Sequence, residues 1–402
     1  MAANFKLDVS NFSRELSLLL ELIKLDEAGN THLIKKEAFT DIEWDQFLLL
    51  AKHHRVYPII YKNLKKVPED WFPLYVGSEL SRLYQNNTIQ MLHLTGEMEQ
   101  VNKVFFENGV RVLFLKGPVL GTALYGDVSL RTSSDLDVLI PMNKLKKAEE
   151  VLLEKGYIKD DYIQSILHDW KWRHHHITFF HPEKRIKLEI HWRMNPGPAK
   201  EPKFNELWGR KIARTSSLTS YPTYYLGYED LFLFLVTHGA RHGWSRIRWL
   251  VDIVKMTKKD IKWEELIKLL RKYHYLHLGG QSLILSAQLL NVKVEKEMND
   301  LVEGKRPKQL AQDALYYIRQ IVNLHTEPVP QEIADYHKRH LFKLMSIRQK
   351  LLFSLSFLYP FAIDADTLPL PKVLHILYFP LRPMLMLWRK TKNRAIPRRA
   401  QN

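Results

Sequence analysis

Residues 110–117 read Val-Arg-Val-Leu-Phe-Leu-Lys-Gly, and residues 130–140 read Leu-Arg-Thr-Ser-Ser-Asp-Leu-Asp-Val-Leu-Ile. An apolar strand from Val110 to Leu115 runs into Lys116-Gly117, and a second strand opens on Asp135 and Asp137. Side chains alternate across a strand, so both carboxylates leave one face while Leu136 and Val138 point to the core. Two hard oxygen donors held side by side are what Mg²⁺ or Mn²⁺ takes from a protein when substrate phosphates complete the coordination shell. A glycine at the end of the preceding strand lets backbone N–H groups come close to a phosphate. The pattern points to metal-assisted nucleotidyl transfer.

Two-metal phosphoryl chemistry calls for a further carboxylate from a neighbouring strand. Residues 174–192 supply it in His-His-His-Ile-Thr-Phe-Phe-His-Pro-Glu-Lys-Arg-Ile-Lys-Leu-Glu-Ile-His-Trp, two β-rich runs that read as a hairpin around Pro182-Glu183-Lys184. Leu188 and Ile190 face one way, and Lys187, Glu189 and His191 the other. Taken alone, Glu189 reads as a solvated residue of a half-exposed strand. With Asp135 and Asp137 upstream, it reads as the third carboxylate.

These motifs, Leu115-Lys116-Gly117, Leu124-Tyr125, Leu130-Arg131, Asp135-Leu136-Asp137 and Leu188-Glu189-Ile190-His191-Trp192, resemble an uncharacterised bacterial nucleotidyltransferase family of the DNA-polymerase-β-like superfamily over roughly residues 95–255. The resemblance implies an α+β fold, a small mixed sheet with helices, flanked here by N-terminal and C-terminal helical regions. It also implies two divalent metals, a nucleoside triphosphate donor (ATP is the expected one) and a hydroxyl-bearing acceptor. By position, Asp135, Asp137 and Glu189 would be catalytic metal ligands. Lys116, Gly117, Arg131, Ser134, His191, His238, Arg241 and His242 would form the nucleotide-binding set, with Lys116 and Arg131 neutralising phosphate charge. Gly117-Pro118 departs from the superfamily's usual phosphate loop, since proline donates no N–H. The connector from Gly117 to Asp135 is also longer than usual.

The 402 residues allow two cored domains, and 46% hydrophobic with 26% charged residues is ordinary for a globular chain. No cysteine is present, which removes disulfides and thiolate metal sites and agrees with a cytoplasmic location. The first residues hold no apolar signal core, and no run reaches the ~18–20 apolar residues of a membrane span. The formal charge of +16 favours anionic partners. Six basic and no acidic residues fall in Arg389–Asn402. Such a tail reads first as solvated. Preceded by Ile376–Phe379 and Met384–Trp388, it could also contact an anionic membrane or an acidic partner from the periphery.

Along the chain, the expected units are an N-terminal helical region (1–94), a nucleotidyltransferase core (95–195), a C-terminal helical domain (196–388) and the basic tail (389–402). Helices are expected over 9–30, after a capping box at Thr40–Glu43, over 56–64, over 73–107 and over 143–155, the last closed by Gly156. Asn195-Pro196-Gly197-Pro198 reads as a linker, and everything beyond about Leu226 as helix.

His238 and His242 are spaced i, i+4, but Gly239 stands where the zinc-protease pattern needs Glu, so zinc is not expected. With Arg241 they read equally well as a border of the nucleotide site or as core histidines beside an Arg248–Asp252 helix pair. His174-His175-His176 shows no third metal ligand in the sequence and reads as a polar strand. Asp364-Ala365-Asp366 reads as an acidic turn, and Gly279-Gly280 as a helix break. The leading function is transfer of a nucleoside monophosphate to a hydroxyl of a small molecule, peptide or polymer end, in a biosynthetic setting. Its rivals are a toxin–antitoxin-type protein nucleotidyltransferase and a non-catalytic nucleotide- or nucleic-acid-binding protein.

Overall fold

The computed structural model describes residues 5–28, 34–214, 221–324 and 328–395. Seven strands form one mixed sheet: β1 Leu113–Phe114, β2 Asp135–Leu139, β3 Ile158–Lys159, β4 His176–His181, β5 Ile186–His191, β6 Ile212–Arg214 and β7 Thr223–Tyr225. Their order across the sheet is β3-β4-β5-β2-β1-β7-β6. The hairpin pairs β4 with β5, and β1 pairs antiparallel with β2. In contrast β2 pairs parallel with β5, in a register that sets Asp137 beside Glu189. That parallel pair requires a long crossover, which the helix Leu145–Glu154 and the strands β3 and β4 supply.

The 34-residue helix Leu74–Glu107 packs on β2 and on the connector that follows β1. The expected boundary at residue 94 therefore falls inside one helix. The sheet also gains β6 and β7 beyond residue 195. A single cluster of buried apolar side chains runs from Leu7 to Leu344, so the N-terminal helices, the sheet and the C-terminal helices share one core.

Several local expectations need correction. Thr40 does not cap the following helix: Trp44–His53 starts at Glu43 without a side-chain cap. Gly279 and Gly280 do not break a helix but lie within Leu276–Leu290, where a Cβ on Gly280 would collide with the Leu301 carbonyl. Asp364 is not in a turn. It sits buried in a short helix, Ala362–Thr367, accepts from Arg382 and forms an ion pair with Arg389 at 2.8 Å. The helix Tyr378–Ala395 runs through the expected tail boundary, so the tail's first residues are helical rather than free. Residues 396–402 lie outside the described residues.

The connector between β1 and β2 is fixed from both sides. Asn87 of the long helix donates to the Ser129 carbonyl at 2.7 Å, and Tyr84 shares a 2.8 Å hydrogen bond with the Ser129 hydroxyl. Arg131 is 1% exposed and grips Asp252 through Nε and Nη2, both at 3.0 Å, while the Tyr125 hydroxyl donates to the same carboxylate at 2.7 Å. Asp252 is thus turned away from Arg248, which donates to Thr132 Oγ1 at 2.9 Å. The phosphate role expected of Arg131 does not match this geometry: its guanidinium is committed to a buried carboxylate, where a bidentate pair is strongest.

Removing one member of a buried pair strands the other charge. Arg131→Leu should therefore cost about 3–5 kcal/mol, and Arg131→Leu/Asp252→Leu should recover much of that loss. Urea unfolding of the two variants checks this.

Candidate functional site

The alternation of β2 puts Asp135 and Asp137 on one face, and the register with β5 adds Glu189 beside Asp137. Asp137 is fully buried. Its Oδ1 meets Lys116 Nζ at 3.0 Å and His191 Nε2 at 3.1 Å, while Oδ2 has no partner among the described residues. Glu189 Oε1 lies 2.5 Å from Lys187 Nζ, and Oε2 lies 3.6 Å from His191 Nε2 and 3.8 Å from His176 Nε2. The ligating atoms of Asp137, Glu189 and His191 all fall within 4.8 Å of one another.

Three carboxylates this close perturb one another's protonation. Burial and the neighbouring charge of Asp137 raise the Asp135 carboxyl above its ordinary value. Burial would also raise Asp137 and Glu189. The charge of Lys116 and a hydrogen bond from His191 outweigh it at Asp137, while His191 and His176 do so at Glu189, and both carboxyls end below the usual range. In turn, burial works against charge on His191, but Asp137 and Glu189 raise it. His176 is pushed down to about 4 by burial and by the charge of His191.

Gly117 closes the first strand with φ +86° and ψ −145°, a conformation open essentially to glycine alone. It starts the helix Pro118–Tyr125, with Pro118 in the first turn, where the missing N–H costs nothing. Ser134 is exposed at the head of β2.

The helix Tyr228–Arg241 brings its end to the same place. His238 is buried against Trp249, with ring centroids 5.3 Å apart, and lies near enough to Lys116 that burial and this charge hold it well below its ordinary value. His242 stacks 4.7 Å from His238. Arg241 is lowered to about 10 by burial, against the pull of Tyr275, Glu189, Glu201 and Asp137. His238 is thus a packed core histidine within electrostatic reach of Lys116, while the expected Arg248–Asp252 helix pair gives way to Arg131–Asp252.

The triple histidine does more than line a polar strand. His175 and His176 bring their rings 5.3 and 5.0 Å from His191, and a nitrogen ligand atom from each of the three lies within 4.8 Å of the others. The missing third ligand is across the hairpin, where His176 faces His191. Once the turn is placed so that His181 pairs with Ile186, that register follows by counting.

Beside the carboxylates opens a cavity of about 450 Å³, its walls including Trp172, Asn195, Arg241, Tyr275, Phe353 and Phe361. Asn195–Ala199 is not a loose linker but one of these walls. Arg193 clamps it, donating to Trp172 O at 2.6 Å, Gly197 O at 2.8 Å and Ala199 O at 2.9 Å, with Glu201 at 3.0 Å on its Nε. Asn195 Nδ2 and Arg241 Nη1 are buried and have no partner among the described residues. The link between cavity and carboxylates is Arg241, which lines the cavity and lies within electrostatic reach of Glu189 and Asp137.

A strand-borne carboxylate cluster behind a glycine turn, on a mixed sheet flanked by helices, is the arrangement of a nucleotidyltransferase. Residues 40–291 match the model of an uncharacterised nucleotidyltransferase family, and the chain belongs to that family. No curated protein and no solved structure matches it. The matched span holds Asp135, Asp137, Glu189 and Arg241, whereas the cavity walls at Leu341–Phe361 lie beyond it.

Gly117→Ala forces a side chain into the left-handed region, 3.4 Å from the Asp135 carbonyl. We expect a loss of about 1–3 kcal/mol in thermal unfolding, together with weaker nucleotide binding by titration.

Proposed function

We propose that the protein transfers a nucleoside monophosphate from a nucleoside triphosphate to a hydroxyl of an acceptor that has an apolar body. The observation that carries the transfer is the buried, unpartnered Asp137 Oδ2, set by strand register beside Glu189 and His191. Hard divalent cations prefer such oxygens, and the donor set of Asp135, Asp137 and Glu189 fits Mg²⁺ or Mn²⁺ better than the nitrogen-rich sites of zinc. When bound, the metals would neutralise charge on the donor phosphates and acidify the acceptor hydroxyl.

The chain's own residues do the rest. Asp135, Asp137 and Glu189 would hold the metals, Glu189 being kept ionised by its hydrogen bond from His191 and paired with Lys187. Lys116, at the glycine turn, supplies a positive charge to the donor phosphates once it releases Asp137. The bond from the α-phosphorus to the bridging oxygen breaks, a bond to the acceptor oxygen forms, and pyrophosphate leaves as the hydroxyl gives up its proton. ATP is the donor to try first. The acceptor sits in the cavity walled by Trp172, Tyr275 and Phe353, with Arg241 Nη1 and Asn195 Nδ2 free to bind its polar group. A concave, mainly apolar pocket with two convergent polar groups favours a small molecule over a folded partner's side chain.

Calorimetry should show nucleoside triphosphate binding that depends on Mg²⁺ or Mn²⁺; equal affinity without metal would remove the metal site. Glu189→Gln should lower turnover by orders of magnitude at nearly constant nucleotide affinity. Lys116→Ala should instead weaken nucleotide binding by about 1–3 kcal/mol. Titration of a fluorescent triphosphate into both variants separates the two roles, and the reverse pattern would invert the assignment.

A further inference from the structure

The C-terminal region exposes apolar side chains out of proportion to the rest of the chain. Of the twenty-nine large hydrophobic residues that are exposed among those described, sixteen fall between Ile347 and Trp388. Scattered apolar residues on a surface are ordinary, but this density along one stretch marks an interaction region, and Arg382 on the Phe357 carbonyl with the Tyr359–Phe379 ring contact, centroids 5.1 Å apart, bring its two ends together.

The pattern within the helices shows that the exposure is built in. In the helix Ile347–Ser356, Ile347 (85% exposed), Leu351 and Leu355 recur every fourth residue on the solvent side. The helix Tyr378–Ala395 is inverted relative to a water-facing helix. Its Arg382 and Arg389 turn inward to buried Asp364, while Met384, Leu387 and Trp388 point out. A second small core of Ile166, Tyr378 and Leu385 holds this helix in place. Charged residues are thus folded under and apolar ones presented.

The charges that do remain outside are mainly basic. Arg348, Lys372 and Lys390 are exposed here, with Asp366 the exposed acid between Ile347 and Thr391 among the described residues. Apolar side chains, an interfacial tryptophan and flanking cations are the combination that partitions into the headgroup region of an anionic bilayer. No helix of the described residues is long and apolar enough to cross a membrane. The face is also continuous with the site: the inner side of Ile347–Ser356 lines the cavity through Gln349, Phe353 and Ser356.

We propose that the face formed by Ile347–Ser356 and Tyr378–Ala395 docks the protein on an anionic lipid bilayer as a peripheral, non-spanning contact. It does not depend on the nucleotidyl-transfer reading.

Flotation of the full-length chain with phosphatidylcholine vesicles, with and without phosphatidylglycerol, tests the proposal. The protein should float with the anionic vesicles and less with neutral ones, and high salt should reduce but not abolish binding, because the apolar contribution is not screened. Leu351→Glu/Leu387→Glu changes exposed positions only and should reduce vesicle binding about tenfold or more. Unchanged thermal unfolding and far-UV circular dichroism would show that the variant is folded. A wild-type chain that stays off anionic vesicles overturns the proposal, whether it elutes as a monomer or as a dimer that the double substitution splits. Binding that survives the double substitution overturns it as well, since charge alone would then explain attachment.

Discussion

The parallel pairing of β2 with β5 is the constraint around which the rest is arranged. It sets Asp137 and Glu189 side by side in an apolar sheet, with Asp135 two positions along. Like charges at strand spacing repel strongly where water is scarce. The chain answers with cations on every side: Lys116 and His191 on Asp137, Lys187 on Glu189, and Arg241 within electrostatic reach of both. Each is close enough to offset charge, and Asp137 Oδ2 is still left without a partner among the described residues. Clusters of this kind are retained where function needs them, because structure alone would be better served by apolar residues.

Keeping β2 in that register requires a rigid approach. The connector from Gly126 to Ser134 is held by the long helix at Ser129 and by the helix Ile247–Met256 through Arg131–Asp252 and Arg248–Thr132. Residues separated by more than a hundred positions therefore fix the entry to the carboxylate strand. The same economy appears at the cavity, where Arg193 clamps the Asn195–Ala199 wall and Arg241 lies within electrostatic reach of Asp137 and Glu189. Helices beyond the family-matched span line the cavity and also carry the exposed apolar face.

Strand-local features were legible in the amino-acid sequence. The two-residue period of Asp135-Leu136-Asp137 set the carboxylates on one face, the hairpin of β4 and β5 followed from its β-rich runs, and Lys116-Gly117 marked the turn, because each depends on neighbours only a few residues away. Features made by contacts distant in sequence were not. Arg131 carries the same charge whether it meets phosphate or Asp252, and only the approach of the helix Ile247–Met256 decides between them. The histidines at 174–176 looked unpartnered because His191 lies across the hairpin, and Asn195–Pro198 looked like a linker because its clamp, Arg193, acts through backbone carbonyls that leave no sequence pattern. Alternation and charge are local properties, so two carboxylates on one strand face could be read from the residues alone. Which cations surround those carboxylates, which residues wall the cavity and which apolar side chains stay outside follow only from packing between segments far apart in the chain.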